Sequence, residues 1–423
     1  MAPPDNGGPV NPFQSLLGDL LNMLGTNAPN QWEMTRSFAV NVANGGQPEP
    51  NVEPLQRIKL EQLSRVAELN VIEATGLPVS PDGRRLVCVP VGRSDWTLRA
   101  LDSWHPILTA MAPAPGAAPT PPSDDQVRPD LIEGGGDLAG LSGLLGQWAT
   151  AIGPMFFGLQ VGSVVGHLSH RALGQYPLAI PWAPSDELLL VTSNIASFAE
   201  DWSLPEEEAL VWICAREMAS NSVLSRPSLR ERLEELLLAA AESSASAQQN
   251  LTGMLQGLGG PQGVEGSDDT PGTDLEGLQR MFDDPEALLG ELLTPESRRT
   301  SDQLTGLAVV IDAYADHIAD LVGQKLVGSH SQLREAWYRR RTERGKGEEA
   351  AGALFGLDLD QAQVDRGRAF VSGVVERAGE EGLAMLWSSV DHLPTPSEVD
   401  APGLWLARIN LPEVDQPPGR DSD

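Results

Sequence analysis

The sequence predicts a mainly α-helical fold carrying a small β-sheet, on three observations. Apolar residues recur at helical spacing through most of the chain, beginning with FQSLLGDLLNML at Phe13–Leu24. Runs with β propensity are few and short: RLVCVPV, YPLAIPW and ELLLVT. With 423 residues, 41% hydrophobic and 21% charged, the chain can bury a substantial core in one large domain or two.

Residues 1–111 read as a helical region. After Phe13–Leu24 the periodic pattern repeats over Trp32–Ala43. A third helix is expected from Val52 to about Ala74, with Leu55, Ile58, Leu63, Val66 and Leu69 on or near one face, and Gly76-Leu77-Pro78 stops it. RLVCVPV then suggests a strand, and Ser94–Met111 a further helix. Residues 112–136, rich in Pro, Ala and Gly, read as a linker or loop.

The core segment is expected over 137–242. From Trp148 to Gly166 only Gln160 is strongly polar, and the length would just span a bilayer. Pro154 interrupts the run and basic flanking anchors are lacking, so a buried helix is expected instead. Its Gly158, Gly162 and Gly166 line one face, where another backbone can approach closely. Tyr176–Trp182 and Glu187–Thr192 read as two strands joined by APSD. Ser203-Leu-Pro-Glu206 has capping-box spacing for a helix running through Asn221, with Val211, Cys214, Ala215, Met218 and Ala219 as its apolar stripe. Residues 243–275 carry few bulky apolar side chains and read as a disordered or long surface loop. Helices are expected again over 276–414, the strongest at Ser301–Leu326, and 415–423 as a loose tail.

Charge narrows the function classes. Fifty-nine acidic against 29 basic residues give a net charge of −30, which argues against nucleic acid or an anionic membrane as the main partner. The basic run Arg334–Lys346 is a local exception and reads first as an exposed charged helix face, with pairing to the protein's own acidic segments or docking of an acidic partner as alternatives. Cys88 and Cys214 lie far apart in apolar runs, as expected of buried thiols in a reducing compartment. The opening MAPPDNGGPVNPFQSLL has neither the basic nor the apolar region of a signal peptide, so a cytoplasmic location is expected.

The candidate chemistry sits in residues 212–233, WICAREMASNSVLSRPSLRERL. Arg216-Glu217-Met218-Ala219-Ser220 is one substitution at each end away from H-E-x-x-H. In that motif two histidines on one helix face bind zinc and the glutamate serves as general base for the metal-bound water. Arg216 stays protonated and cannot ligate, and Ser220 is a poor zinc ligand. Other clusters are weaker. His167 and His170 read as helix-end histidines near a turn rather than a metal pair. Asp312, Asp316 and Asp320, with His317 adjacent, could hold a hard cation or form a solvated acidic face. Cys214 falls on the apolar stripe and should be inert, and no G-x-S-x-G is present.

The surroundings are more specific than the motif. NVEPLQRIKLEQLSRVAELNVIEATGL, GRSDWTLRALDSW, the 212–233 run, YADHIADLV, FGLDLD and LWSSVDHLPTPSEVDAPGLWLARI occur in that order. In these landmarks the chain, from Phe13 to about Ile409, resembles the actinobacterial zinc-dependent metallopeptidase-like family of hydrolases. One branch of that family is associated with biosynthesis of the deazaflavin redox coenzyme. The resemblance implies a zincin-like metallopeptidase fold with a small sheet beside the active-site helix. It places the family's metal ligands on Arg216, Ser220 and Asp312, and its general base on Glu217.

Both motif histidines are therefore replaced, no metal cofactor is expected, and Glu217 is a vestigial base. Arg216 is the obvious substitute cation, able to bridge Glu217 and Asp312 as an internal salt bridge; the alternative leaves it turned outward to solvent. The leading expectation is a pseudoenzyme that binds or scaffolds. Its former substrate groove would take a peptide or protein, edged by the Glu187–Thr192 strand through strand addition. The alternative is an active zinc-dependent hydrolase with a rearranged site built from Glu217, Asp312 and Asp316 or His317. A purely structural helical protein is the third class.

Overall fold

The computed structural model describes residues 28–49, 51–80, 83–112, 157–258 and 294–410. The expected helix at Phe13–Leu24, linker residues 113–136, residues 148–156 of the apolar stretch, residues 259–275 of the expected loop and the tail lie outside these.

The first described helices are α1 (Ala28–Asn44) and α2 (Pro54–Thr75). Proline opens α2, where its missing N–H costs nothing, and Gly76 closes it in the left-handed conformation, donating to the Ile72 carbonyl at 2.9 Å. Strand β1 (Val87–Val91) and helix α3 (Arg93–Met111) follow. Helix α4 (157–169) packs its glycine face on α1. A Cβ at Gly162 would lie 2.9 Å from the Thr35 carbonyl oxygen, and one at Gly166 2.7 Å from that of Ala39. Strand β2 (Glu187–Val191), α5 (Thr192–Asp201) and α6 (Glu206–Leu224) come next. Then follow α7 (Pro227–Leu258), α8 (Pro295–Leu326), α9 (His330–Thr342), α10 (Lys346–Leu354) and α11 (Gln361–Ala384). Short turns of helix lead to a last one at Pro402–Ile409. Among the described residues no helix is long and apolar enough to cross a membrane.

Helix α6 is the axis of the molecule. Every residue from Ala209 to Leu224 is buried, so the expected stripe has become the whole circumference. Helices α2 and α8 pack against it, and α11 lies against α8. The sheet runs alongside as two parallel strands, Val87 opposite Glu187 and Val91 opposite Val191. Val87 donates to the Asp186 carbonyl, so alternation turns the Pro90 nitrogen to the outer edge, where a missing donor is tolerated.

Four expectations need correcting. The buried face of α2 is Leu60, Ser64, Ala67 and Val71, not the bulkier stripe; Leu55 and Leu69 are 73% and 70% exposed. Small side chains at 64 and 67 allow α2 to lie close on α6, and the larger residues turn outward. Tyr176–Trp182 is largely buried but irregular, because Pro177 and Pro181 prevent a ladder; the one antiparallel bridge nearby lies just before it, from Gly174 to Leu190. Ser203 is not the cap of α6. It sits at φ 53°, ending α5 in a left-handed turn closed by Leu204 N–H to the Ala199 carbonyl, and α6 opens at Pro205 followed by three glutamates. Helix α7 continues through Leu258, into the stretch expected to be a loop, where Ala, Gln, Leu and Met are good helix formers.

Strand β2 is also not a free edge. Beyond β1, its other side is taken by Val191 donating to the Leu173 carbonyl and Leu189 to the Gln175 side chain. Strand addition of a peptide at β2 therefore lacks an open ladder.

Candidate functional site

Helix geometry brings the site together. Arg216, Glu217 and Ser220 lie in the centre of α6. Asp312 and Asp316, four residues apart, project from one face of α8, and α8 is the main neighbour of α6. The irregular segment after α4 supplies Tyr176, and α9 supplies Trp337, Arg340 and Arg341.

Arg216 turns inward and is 2% exposed. Its Nε donates to Asp316 Oδ1 at 2.9 Å and its Nη2 to Asp312 Oδ1 at 2.8 Å. Its Nη1 reaches Glu217 Oε1 at 3.1 Å and the Tyr176 carbonyl at 3.2 Å. The guanidinium lies 4.9 Å from the centre of the Trp337 ring. Arg341 grips the same aspartates from the other side, at 3.0 Å from Asp312 Oδ2 and 3.5 Å from Asp316 Oδ2. Two guanidinium groups and three carboxylates thus form one closed network.

Glu217 completes it through its second oxygen, which accepts the Tyr176 N–H at 2.7 Å. Gly174 makes that possible, since a Cβ there would collide with the Glu217 carboxyl. The Tyr176 hydroxyl donates to Asn221, and Asn221 in turn to the Val79 carbonyl, each at 2.7 Å. The segment is therefore tied to α6 at three points, through the Tyr176 N–H, carbonyl and hydroxyl.

The carboxylates respond differently to this environment. Burial pushes the Glu217 carboxyl above its usual range, and Arg216 only partly offsets it. Burial acts on Asp312 too, but Arg341 and Arg216 outweigh it and hold the carboxyl below the ordinary aspartate range. For Arg216, burial opposes the charge, while Asp316, Asp312 and Glu217 more than compensate and raise its pKa.

This donor set does not fit zinc. The space between Glu217, Asp312 and Asp316 is filled by a guanidinium, and the motif positions at 216 and 220 offer no imidazole nitrogen. Among the described residues no group of three or more His, Cys, Asp or Glu is arranged to share a metal.

The remaining candidates lie elsewhere. Ser220 is buried on α6. His317 faces away and meets Glu380 at 2.9 Å. Asp320 lies 3.4 Å from His330. His170 is held by the Val42 carbonyl and Arg93, and His167 by its own helix at Ser163. Cys88 and Cys214 are buried and unpaired, and the Cys88 thiol together with burial pushes the Cys214 thiol well up.

Sequence reasoning missed Asp316 as a partner of Arg216, Arg341 as the second cation on the aspartates, and Tyr176 as the backbone clamp. A signal for Arg341 was present: Leu333, Ala336, Trp337, Arg340 and Arg341 recur at helical spacing, so the basic run has an inward face. Above the network lies a cleft of about 50 Å³, room for a few waters rather than a peptide.

With this geometry in view, the comparisons with known proteins are informative. The family model for zincin-like metallopeptidases matches residues 31–406. A solved structure from Chloroflexus aurantiacus, described as "a putative hydrolase with a novel fold", is similar with a TM-score of 0.58 and 22% identity, covering 89% of this chain and 98% of that one. At that identity it speaks for the fold alone. No curated protein gives a significant match.

Proposed function

The chain belongs to the zincin-like metallopeptidase family, and from that premise we propose that it has exchanged metal chemistry for binding. In this reading Arg216 stands in for the metal. It neutralises the carboxylates that a metal-dependent site would have used, and holds α6, α8 and the Tyr176 segment in register. Glu217 becomes a structural acceptor rather than a general base, since one of its oxygens accepts from Arg216 and the other from the Tyr176 N–H. The observation that carries the proposal is the three-way ion pairing of Arg216 with Glu217, Asp312 and Asp316. The pair of reduced, buried thiols is compatible with action in the cytoplasm.

The test is metal content per chain, on protein purified without chelator and then offered zinc. Less than about a tenth of an equivalent, with no recovery on adding zinc, is expected. Near one equivalent, abolished by Glu217→Gln or Asp312→Asn and accompanied by chelator-sensitive hydrolysis, would overturn the proposal in favour of an active hydrolase.

A further inference from the structure

The cleft beside the network is markedly basic in a protein of net charge −30. Arg171, Arg216, Arg340, Arg341 and Arg344 all line it, against the carboxylates of Glu217, Asp312 and Glu348. Arg216 and Arg341 are committed to the buried carboxylates, and Arg171 lies 2.9 Å from Glu348. Arg340 and Arg344 have no such carboxylate: among the described residues neither has an ion pair within 4.0 Å, and Arg344 has no hydrogen bond either. Arg340 is held in place by exchange with the backbone across the cleft. Its guanidinium donates to the Arg171 carbonyl, Arg171 donates back to the Arg340 carbonyl at 2.9 Å, and the Arg340 side chain lies over the Phe198 ring at 5.5 Å. Burial and the neighbouring Arg171 lower the Arg340 pKa to about 10. Burial and Arg341 lower that of Arg344.

Two half-buried guanidinium groups facing one cleft, neither in direct contact with a carboxylate although Asp312 and Glu348 lie near, form a site prepared for an anion. The space available suits a compact group of a few heavy atoms rather than a side chain of any length.

We propose that this cleft binds a compact oxyanion, the phosphate or carboxylate head of a ligand, between Arg340 and Arg344 with Arg171 at its margin. The proposal names the ligand class for the binding role inferred above and rests on that reading. The site lies beside the Arg216 network and uses the two guanidinium groups that the network does not engage. A phosphate ester and a peptide C-terminus share this head-group chemistry.

Calorimetric titration of the full-length chain tests the idea, at constant ionic strength held with chloride and with zinc content measured on the same sample. The probes are inorganic phosphate, an N-acetylated dipeptide with a free carboxylate, and the same dipeptide amidated. Saturable binding of phosphate or of the free carboxylate, with the amide silent, is expected, and the tighter of the two identifies the source of the head group. Arg344→Gln, which loses no partner among the described residues, should keep the wild-type Tm and weaken binding at least tenfold. Arg344→Lys should restore most of it, and Arg339→Gln, whose partner Glu335 lies on the outer face, should change nothing. Absence of binding by both anions, or binding indifferent to Arg344→Gln and Arg340→Gln, overturns the proposal. A metal-free sample that binds neither anion refutes this inference alone, whereas a sample with one equivalent of zinc refutes the reading beneath it.

Discussion

Replacing Arg216 with methionine removes the group on which the whole network converges. The side chain is almost fully buried and makes hydrogen bonds to Asp316, Asp312, Glu217 and the Tyr176 carbonyl. Methionine keeps much of the volume and the contact with Trp337, so the change isolates charge from packing. Three carboxylates would then share Arg341 as their nearest cation, leaving at least one buried charge uncompensated. Breaking a buried ion pair by removing one partner costs about 3–5 kcal/mol. At about 2 °C per kcal/mol for a chain of this size class, Tm should fall by roughly 5–10 °C at pH 7. The deficit should depend on pH with a definite sign. Burial already raises the Glu217 carboxyl, and without Arg216, which partly offsets that, it stands further above its unfolded value of about 4. A raised folded-state value means stability lost as pH rises and regained as it falls, so the gap from wild type should narrow between about pH 7 and pH 5. The assay is urea unfolding followed by tryptophan fluorescence at several pH values. A loss below about 1 kcal/mol at pH 7, flat with pH, would show that the guanidinium is not buried among carboxylates, and would refute the substitution argument at its base.

Other consequences are as direct. Glu217→Gln should be neutral or stabilise by about 1 kcal/mol at pH 7, because burial raises that carboxyl while an amide oxygen can still accept the Tyr176 N–H; a loss above 2 kcal/mol in thermal unfolding would make the charge itself structural. Asp312→Asn should cost about 3 kcal/mol at neutral pH. The Asp312 carboxyl is held low, so its contribution is present above the usual aspartate range and lost as pH falls through its folded value; wild type and variant should therefore converge below about pH 4 in acid titrations followed by circular dichroism. Gly174→Ala should destabilise by about 1–3 kcal/mol through its collision with Glu217, and Glu217→Ala in the same chain should relieve most of that, a coupling readable in a double-mutant cycle. Gly166→Ala pushes a methyl onto the Ala39 carbonyl and should lower Tm by several degrees, again for about 1–3 kcal/mol.

How much of this was legible depended on whether the information was local. The order of helices, the strand at 87–91, the glycine face of α4 and the positions of Arg216, Glu217 and Asp312 could all be read, because periodicity and ordered landmarks are local signals. The inward face of α9 was present in the spacing of Leu333, Ala336 and Trp337 but was obscured by the composition of the basic run. The outward apolar stripe of α2 was misread for a related reason. Periodicity shows that a helix has a face, and only the neighbour decides whether bulky or small residues meet it; here α6 takes Ser64 and Ala67. Tyr176 was out of reach, since its role comes from a backbone N–H placed by Gly174 and not from its side-chain type.

The Arg216 network also constrains how this chain can change over evolutionary time. Introducing a histidine at 216 removes the central cation before any metal ligand set exists, because Ser220 would have to change as well and Arg341 still occupies the aspartates. Each single step passes through a form with stranded charge, and every route to a metal site crosses a stability valley of several kcal/mol. With arginine buried among three carboxylates, ordinary selection for folding holds it there. Arginine at this position works as a one-way latch, and descendants of this chain can diversify in what the cleft holds far more easily than they can acquire a metal.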